Sequence, residues 1–591
     1  MRAARPSAKH PTHSSSQPTA LQQALHKARG GFVAVAVFSF FLNLLMLATP
    51  LYMLSVFQRV LGSGHTYTLL YLTVITIFAI LILGILFTIR ARILAQISGW
   101  LAGVLSGRLI SASLTSTLAG AQSGMQPLGD LRQIQGFIGG TGITALFDSP
   151  WVPVFIAVIW VMHPWLGVLA LASAVALFIL ALLNELATRK PQREAQKEQA
   201  SASQFADSSL RNAEVVQAMG MMPGLLAQWH KLHDGALDKQ ATASSRSATI
   251  MGMSRFVRLS VQVGILGLGA LLVLTDNLTP GQMIAASILL GRALAPVEQS
   301  IAGWRTFISA RTSYSDLQEL LQAIPEQPAV MELPPPEGHI HAENLSFIPP
   351  GAEKPVLRGI NFALAPGETL GLVGPSAAGK STLCRLLVGV WAPTVGSVRL
   401  DAAEVHSWDR EAFGRYVGYL PQDVELFTGT VRQNIARMGE AEDSEVIEAA
   451  KLADVHEMIL RLPQGYDTQI GTGGAALSAG QRQRIGLARA LFRRPKVIVL
   501  DEPNASLDRI GEAALLRALS SLKQLGTTIV IVAHHASMLA GVDKLLALNE
   551  GRITAYGPKN EVLAHLSKGE QRAEPAVPKP AKAQAQARDG S

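Results

Sequence analysis

The chain has 591 residues, of which 49% are hydrophobic and 16% are charged. A composition this apolar excludes a disordered or fibrous protein, and the length allows about four domains. The formal net charge of +8 would suit a nucleic-acid partner, so the positions of the charges must decide whether there is one. Because Cys384 is the only cysteine, an internal disulfide and a cysteine-based zinc site are excluded.

Residues 1–30 are basic, carry no acidic side chain and are rich in Ser, Pro, Gln and Ala. We interpret them as a disordered basic tail. A secretory signal is the competing interpretation, since charge followed by an apolar run is its pattern. The apolar run from Phe32, however, continues through Pro50, and no small-residue cleavage site closes it. A retained first membrane span is therefore predicted.

Six apolar segments approach the length of a membrane-spanning helix, which needs ~20 residues. They are residues 32–57, 68–88, 145–162, 165–183, 257–275 and 281–303. Buried helices of a large soluble core are the alternative. The first four segments, however, are nearly free of charge around the whole helix, whereas a core helix keeps a polar face. We therefore expect a polytopic α-helical membrane domain of six spans over residues 31–322.

Lysine and arginine are concentrated after the second and fourth segments, at Arg90, Arg92, Arg108, Arg132, Arg189, Lys190, Arg193 and Lys197. The short linker Met162-His163-Pro164 carries neither residue type. By the positive-inside rule, both termini and the two long connections between spans are cytoplasmic. The excess charge therefore marks membrane topology, and no nucleic-acid partner is expected.

The two long connections, residues 90–144 and 184–255, have helical spacing and should prolong the spans beyond the bilayer at 1.5 Å per residue. Helix-breaking residues interrupt each connection near its middle, at 126–130 and 220–224. Each break is either a solvated hairpin tip or a contact with a cytoplasmic domain. The sequence beyond residue 338 favours the contact.

Residues 323–338 form a Pro-rich linker, because so many prolines cannot continue a helix. Beyond it, helices alternate with short strands, which are predicted at 339–347, 369–373, 496–500 and 527–533. This alternation is typical of an α/β domain with a largely parallel sheet. We assign the domain to residues 339–566 and a disordered tail to 567–591.

A candidate phosphate-binding loop lies between the second of these strands and a helix. It fits the pattern G-x-x-x-x-G-K-[ST] and comprises Gly374, Pro375, Ser376, Ala377, Ala378, Gly379, Lys380, Ser381 and Thr382. The backbone N–H groups of such a loop surround the phosphates of a nucleotide. Lys380 is placed to neutralise the β- and γ-phosphates, and the Ser381 hydroxyl to ligate Mg²⁺.

The strand at 496–500 ends in two carboxylates, Asp501 and Glu502. Burial explains the apolar strand but not two acids at its end. Asp501 is placed to hold Mg²⁺ through water, and Glu502 to orient and deprotonate the attacking water. Between these motifs lies the segment 477–481, which reads LSAGQ and which by itself could be an ordinary Ser-capped helix start.

Taken in order, these motifs resemble the nucleotide-binding domain of ATP-binding-cassette proteins, whose signature reads LSxGQ. The resemblance implies a P-loop NTPase fold and an ATP hydrolase that uses ATP and Mg²⁺. It implies that Gln422 contacts Mg²⁺, that His534 contacts the γ-phosphate, and that Asp508 contacts the opposing domain. By the same resemblance, the residues that complete the ATP site of a second subunit are Ser478, Gly480 and Gln481.

In this family the signature acts on nucleotide bound by the other cassette. Because the chain contains one cassette, two copies must associate, and we expect a homodimer with about twelve spans and two shared ATP sites. Family members often stack adenine on a tyrosine where this chain has Pro349. We therefore expect weak stacking of the base and unchanged phosphate chemistry.

Membrane spans ahead of a cassette are similar to the exporter arrangement, and residues 40–54, 147–167 and 290–296 resemble the inner-membrane ATPase of type I protein secretion. That resemblance implies secretion of an unfolded protein of the protease, lipase or repeat-in-toxin type with a C-terminal signal. It also implies a periplasmic adaptor and an outer-membrane tunnel as partners. The branch with an N-terminal peptidase-like domain is disfavoured, because only about 30 residues precede the first span.

Two other functional classes stay open. A lipid, drug or peptide exporter of the same architecture is the alternative, and an ATP-gated regulator that transports nothing ranks third. Intact Lys380, Glu502 and His534 disfavour the regulator. In the sixth segment, Arg292 and Glu298 either line the pathway or lie at its cytoplasmic mouth.

Overall fold

The structure, a computed structural model, describes residues 18–120, 124–325, 333–471, 474, 477–533 and 535–573. His534, residues 326–332 of the predicted linker 323–338 and the two ends of the chain lie outside these ranges. The described residues form two compact units. The first ends at Pro325, and the second begins after it and also includes residues 118–120. We call them the membrane unit and the cassette unit.

The membrane unit is built of helices. They are α1 Ala20–Lys27, α2 Arg29–Leu45, α3 Ala48–Ser55, α4 Leu61–Ser63, α5 Thr66–Leu118, α6 Gln126–Ile138, α7 Thr141–Asp148, α8 Val152–Met162, α9 Pro164–Arg211, α10 Ala213–Ala218, α11 Met222–Leu274 and α12 Pro280–Ala323. A π-helical turn, Val56–Val60, joins α3 to α4, and a 3-10 turn, Ser149–Trp151, joins α7 to α8.

Five helical stretches in the described part of the chain are long and apolar enough to cross a membrane. They are Arg29–Ser63, Thr66–Leu118, Thr141–Met162, Pro164–Arg211 and Met222–Leu274. These stretches contain the first four predicted spans and all but the last residue of the fifth. The sixth predicted span lies in α12, a continuous helix of 44 residues that is not among the five. A multi-pass membrane protein is confirmed, whereas the count of six stays a prediction.

Three helices continue far beyond the apolar segments. α5 and α11 each have 53 residues and α9 has 48, so each is roughly 70–80 Å long. Beyond the predicted second span, α5 buries a stripe of residues that packs with α6 and the end of α12 in one apolar cluster. Packing of this kind lets a helix persist outside the bilayer, since length alone does not stabilise it.

The chain breaks at the two predicted places, with one difference. Residues 126–130 begin α6, with Pro127 in its first turn, so the break precedes them. At the second break, α10 ends at Ala218 and α11 begins at Met222. Gly220 reverses the chain there with φ 62°, a conformation that favours glycine.

The basic tail predicted to be disordered over 1–30 is helical at its end. Thr19 caps α1 in a capping box with Gln22, and Leu21 and Ala24 are buried against the cluster that contains α5. The C-terminal tail also differs from the prediction, because α20 continues to Ala573. In both places tertiary packing or helix continuation outweighs a composition that favours disorder.

The cassette unit is α/β, as predicted. Its strands are β1 Ile340–Phe347, β2 Leu357–Leu364, β3 Thr369–Val373, β4 Val395–Leu400, β5 Ala403–Glu404, β6 Val417–Leu420, β7 Gly429–Thr430, β8 Gln469–Ile470, β9 Val497–Leu500, β10 Thr528–Val532, β11 Lys544–Asn549 and β12 Arg552–Pro558. Its helices are α13 Lys380–Leu387, α14 Arg410–Tyr416, α15 Val431–Ile435, α16 Asp443–Leu452, α17 His456–Leu460, α18 Ala479–Leu491, α19 Arg509–Gln524 and α20 Lys559–Ala573.

The central sheet has the strand order β12-β11-β3-β10-β9-β6, and all of its pairings except β11 with β12 are parallel. Both faces are covered, because alternate residues of one strand enter different cores. On β9, Ile498 and Leu500 join one apolar cluster, whereas Val497 and Val499 join the other. Burial on both faces explains the uninterrupted apolar strands. A smaller antiparallel sheet, β2-β1-β4-β5, flanks the second core.

Parallel pairing brings the carboxyl ends of β3, β10, β9 and β6 to one edge of the central sheet. The phosphate loop follows β3, the two carboxylates follow β9, and Gln422 follows β6. Ligands bind at this edge in open α/β sheets. The topology therefore gathers motifs that are more than 100 residues apart in the chain.

Candidate functional site

The loop between β3 and α13 needs glycine at both ends. Gly374 has φ 151° and Gly379 has φ 100°. A Cβ atom at Gly374 would lie 2.2 Å from the carbonyl oxygen of Leu548, and one at Gly379 would lie 2.7 Å from Leu357 Cδ2. Any side chain would therefore deform the loop. The loop leads into the N-terminus of α13, where the helix dipole favours an anion.

Lys380 lies folded into this loop. Its Nζ atom donates to the carbonyl oxygens of Gly374 and Pro375, each at 2.9 Å, and only 6% of the residue is exposed. A buried ammonium group requires such acceptors. The loop thus holds a positive charge inside the curve of backbone that precedes α13, which is the place where a phosphate group needs it.

Ser381 and Asp501 form a pair of oxygen donors beside the loop. Ser381 Oγ donates to Asp501 Oδ1 at 3.2 Å, and Asp501 is almost completely buried. Burial raises the pKa of the Asp501 carboxyl; the hydrogen bond from Ser381 opposes this shift, and the neighbouring Glu502 adds to it. A hydroxyl and a carboxylate are ligands that Mg²⁺ prefers, so the residues present fit this ion.

Glu502 projects from a strained position at the end of β9. Its φ of 49° is in the left-handed region, which is uncommon for a residue with a side chain. Gln422 Nε2 donates to Glu502 Oε2 at 3.0 Å. Backbone strain of this kind clusters at functional sites, and here it directs a carboxylate toward the residue that follows β6.

The signature segment begins α18. The Gln481 backbone N–H donates to Ser478 Oγ at 3.2 Å, and the Ser478 backbone N–H donates to Gln481 Oε1 at 2.9 Å, which completes a capping box. A Cβ atom at Gly480 would lie 2.9 Å from the carbonyl oxygen of Ser506, so only glycine fits this close approach. Ser478 therefore caps a helix, as the helix-start interpretation of this segment predicts.

Gln483 connects this helix to the backbone of the segment that follows β9, and the sequence interpretation missed it. Its Nε2 atom donates to the Glu502 carbonyl oxygen at 3.3 Å, and its Oε1 atom accepts from the Ser506 backbone N–H at 3.0 Å. The residue is 3% exposed. The signal was present, because position 483 shares a helical face with the buried residues Leu487 and Ala490.

The structure brings some predicted site residues together and leaves others apart. Lys380, Ser381, Asp501, Glu502 and Gln422 meet at the edge of the central sheet, as described above. Asp508 instead caps α19 by accepting from the Gly511 backbone N–H at 2.8 Å. Within the described ranges, no hydrogen bond or ion pair joins residues 478–481 or 508 to the loop 374–382. His534 lies outside those ranges.

Phe347, the aromatic residue nearest to Pro349 along the chain, packs against another ring. Phe347 stacks on Trp391 with ring centres 5.0 Å apart, and the Arg385 guanidinium lies 4.8 Å from the Trp391 ring. The expectation of weak adenine stacking stays a prediction. In the membrane unit, Glu298 of α12 pairs with Arg258 of α11 at 3.0 Å, and the two interpretations of its place stay open.

Comparison with known proteins agrees with both units. The family described as "ABC transporter transmembrane region" matches residues 32–296, and the family described as "ABC transporter" matches residues 357–505. A solved bacterial Atm1-family ABC exporter with ATP bound superposes with a TM-score of 0.78 at 21% identity, over 93% of this chain and 99% of that one. Fold and site therefore define an ATP-binding-cassette transporter that couples ATP hydrolysis to transport.

Two relatives indicate which branch of the ABC transporter family the chain resembles. The type I secretion system ATP-binding protein PrsD of Rhizobium meliloti is 43% identical over 93% of this chain and 95% of its own length. The cyclolysin secretion/processing ATP-binding protein CyaB of Bordetella pertussis is 32% identical over 92% of this chain and 77% of its own. The chain belongs to the exporter ATPases of type I secretion, which confirms the resemblance drawn from its motifs.

Proposed function

We propose that two copies of this chain form a homodimeric exporter in the bacterial inner membrane, which hydrolyses ATP with Mg²⁺ to move an unfolded protein out of the cytoplasm. The observation that carries the proposal is the convergence of Lys380, Ser381, Asp501 and Glu502 in a chain whose other unit is a set of apolar helices. We also propose that both termini and the cassette unit are cytoplasmic, in agreement with the positions of lysine and arginine.

In this proposal Lys380 exchanges its two carbonyl partners for the β- and γ-phosphate oxygens of ATP. Ser381, Asp501 and Gln422 hold Mg²⁺, and the chemistry that this ion supplies is neutralisation of charge on the phosphate oxygens. Glu502 accepts a proton from the attacking water. Gln422 already donates to Glu502, so it can orient the carboxylate as well as sense the nucleotide.

The remaining residues of the site are assigned to the nucleotide and to contacts with the second subunit. We assign Ser478, Gly480 and Gln481 to the ATP held by the partner's phosphate loop, Asp508 to the opposing cassette, and His534 to the γ-phosphate. Ser478, Gln481 and Asp508 make helix-capping hydrogen bonds within their own chain, which fixes the starts of α18 and α19 and leaves these helix ends rigid.

We propose the domain boundaries that the sequence predicts. They are a membrane domain over 31–322 with six spans, a linker over 323–338, and a cassette over 339–566. The exported protein is proposed to be of the protease, lipase or repeat-in-toxin type with a C-terminal signal. A periplasmic adaptor and an outer-membrane tunnel complete the route. The names of the relatives PrsD and CyaB, which refer to secretion, support this choice over a lipid or drug cargo.

Replacing Glu502 by Gln tests the proposal, because it keeps the shape of the side chain and removes the base. Hydrolysis by the purified full-length protein should fall by about 10²-fold or more, while ATP binding persists. Glu550→Gln is the matched control, since Glu550 is an exposed glutamate with a similar left-handed φ of 47° outside the site.

Secretion is measured in cells that carry an adaptor, a tunnel and a repeat-in-toxin cargo. The Glu502→Gln variant should secrete nothing, and the Glu550→Gln variant should secrete at the wild-type level. Hydrolysis at the wild-type rate by Glu502→Gln would refute the assigned base. Purified protein whose ATPase activity never responds to a cargo with its C-terminal signal would count against a protein substrate.

A further inference from the structure

Four buried polar side chains join three helices of the membrane unit. Arg90 lies on α5, Asp148 ends α7, and Ser39 and Asn43 lie one turn apart on α2. None of the four is more than 8% exposed. The sequence pattern treats Arg90 as one of several cytoplasmic charges that mark topology, but the structure places it in the interior. The nucleotide chemistry described above does not use this cluster.

The contacts within the cluster satisfy both charges. Arg90 Nη1 donates to Asp148 Oδ1 at 2.9 Å and to Ser39 Oγ at 3.0 Å. Asn43 Nδ2 donates to the same Asp148 oxygen at 2.9 Å and to the Ser39 carbonyl oxygen at 2.8 Å. The Phe87 ring lies 4.7 Å from the guanidinium carbon of Arg90. A buried ion pair persists only when it is paired and hydrogen-bonded in this way.

Arg90 is the first member of a long stripe on α5. The buried residues of this helix recur every three or four positions, at Arg90, Leu94, Ile97, Leu101, Leu105, Leu109, Ala112 and Ser116. Such spacing defines one helix face that is buried from Arg90 to Ser116. From Leu94 to Ala112 every member is apolar. A leucine at position 90 would continue the pattern, so the arginine is the exception that requires an explanation.

The exception matters because an apolar stripe defines helix register weakly. If α5 moved by one turn, about 5.4 Å, one leucine would take the place of another. The same movement would separate Arg90 from Asp148 and leave two buried charges unpaired, which is strongly unfavourable. A single polar residue at a core position is a known means of specifying register between helices.

We infer that the Arg90–Asp148 pair fixes the register of α5 against α2 and α7, so that these three helices move as one body. The part of α5 beyond Arg90, up to its end at Leu118, spans roughly 40 Å. A displacement of α5 near Leu118 is transmitted to α2 and α7 only if α5 does not slide along these two helices at Arg90. The role in transport rests on the proposed function, whereas the register itself does not.

The test removes the pair without leaving a lone charge. The double variant Arg90→Met with Asp148→Leu replaces it by apolar side chains, a change that is often neutral or stabilising. The single variant Asp148→Leu leaves Arg90 unpaired and should unfold at a lower temperature. Arg92→Met is the matched control, because Arg92 lies two residues away on the same helix and is exposed.

Register is measured by electron–electron double resonance on the full-length protein in lipid nanodiscs. Spin labels are attached at Val104 of α5 and Leu146 of α7, which are 48% and 53% exposed, in a Cys384→Ala background. Labelled chain is diluted into excess unlabelled chain, so that only distances within one chain are read. The protein with the native pair and the Arg92→Met control should each give one narrow distance distribution.

In the Arg90→Met, Asp148→Leu double variant, the distribution should broaden or gain a second peak displaced by about one helical turn, 5.4 Å. Its ATP hydrolysis should persist while cargo secretion falls at least tenfold. A distribution unchanged from that of the native pair would overturn the inference, whatever happens to secretion. A displaced distribution with full secretion would overturn the transport role and leave the register assignment standing. Failure of the Glu502 test would refute the proposed chemistry without altering the distances.

Discussion

At the scale of residues, the cassette unit has three energetically unfavourable residues at one edge of its central sheet. Asp501 is a carboxylate with almost no access to solvent, Glu502 has a left-handed backbone, and Lys380 is a buried ammonium group. Each of these costs folding free energy in the absence of nucleotide. They are therefore the positions at which a substitution should separate stability from function.

Asp501→Asn should stabilise the nucleotide-free protein and abolish binding of Mg-ATP. Because burial raises the pKa of Asp501 above its unfolded value, the native state loses stability as the pH rises through the interval between the two values, and above it the loss is complete. Asparagine can keep the hydrogen bond with Ser381 and removes the charge. We expect the free energy of unfolding at pH 7 to rise by about 1 kcal/mol.

Thermal unfolding of the full-length protein in detergent, with and without Mg-ATP, measures both effects of Asp501→Asn. The control is Asp409→Asn, since Asp409 is an exposed cap of α14 outside the site and asparagine caps equally well. A lower unfolding temperature for Asp501→Asn without nucleotide would contradict the assigned cost of the buried carboxylate. So would a pH dependence identical to that of the wild-type protein.

At the scale of elements, local signals predicted the strands closely and some helices poorly. The predicted strand 369–373 coincides with β3, and 496–500 differs from β9 by one residue. Strand ends depend on which neighbour continues the hydrogen-bond ladder, which is a non-local property. Helix α1 was missed because Leu21 and Ala24 find their apolar partners on helices far away in the chain.

The turn between α10 and α11 offers a comparison of two glycines. Gly220 has φ 62°, whereas Gly224 lies inside α11, and a Cβ atom at either position would meet no atom within 4 Å. Gly220→Ala should therefore weaken the turn by about 1 kcal/mol, because alanine resists this conformation. Gly224→Ala should strengthen the start of α11 by about 0.5–1 kcal/mol, because alanine favours a helix.

Hydrogen exchange of the backbone amides between residues 213 and 230 in the full-length protein measures the two glycine variants. Exchange should become faster in Gly220→Ala and slower in Gly224→Ala. If both substitutions changed exchange in the same direction, the local conformations would not be the cause, since the two variants add the same methyl group.

At the scale of the whole molecule, the proposal depends on sites shared between two copies. A phosphate loop and a signature segment of one chain would then belong to different sites. Two variants that are each inactive as a homodimer should therefore restore one functional ATP site when they are combined in one dimer. In a pair that contains one Lys380→Met copy and one Ser478→Arg copy, one site carries both substitutions and the other site carries neither.

Such mixed pairs can be isolated with two different affinity tags and assayed for trapped nucleotide. We expect one trapped nucleotide per mixed pair and none in either variant alone. If each site were formed within a single chain, both sites of the mixed pair would carry one substitution. Absence of trapped nucleotide in the mixed pair, with two per wild-type pair, would therefore exclude shared sites.

The sequence alone determined the features that depend on local pattern. Apolar length defined the membrane-spanning helices, and the G-x-x-x-x-G-K-[ST] loop and the paired acids defined the nucleotide chemistry, because their spacing relative to strands is itself the signal. Contacts between distant elements, by contrast, became visible only in the three-dimensional structure. The bonds from Gln483 to the Glu502 backbone and from Arg90 to Asp148 are such contacts. Neither can be read from either partner alone, because burial and pairing are properties that a residue acquires from neighbours far away in the chain.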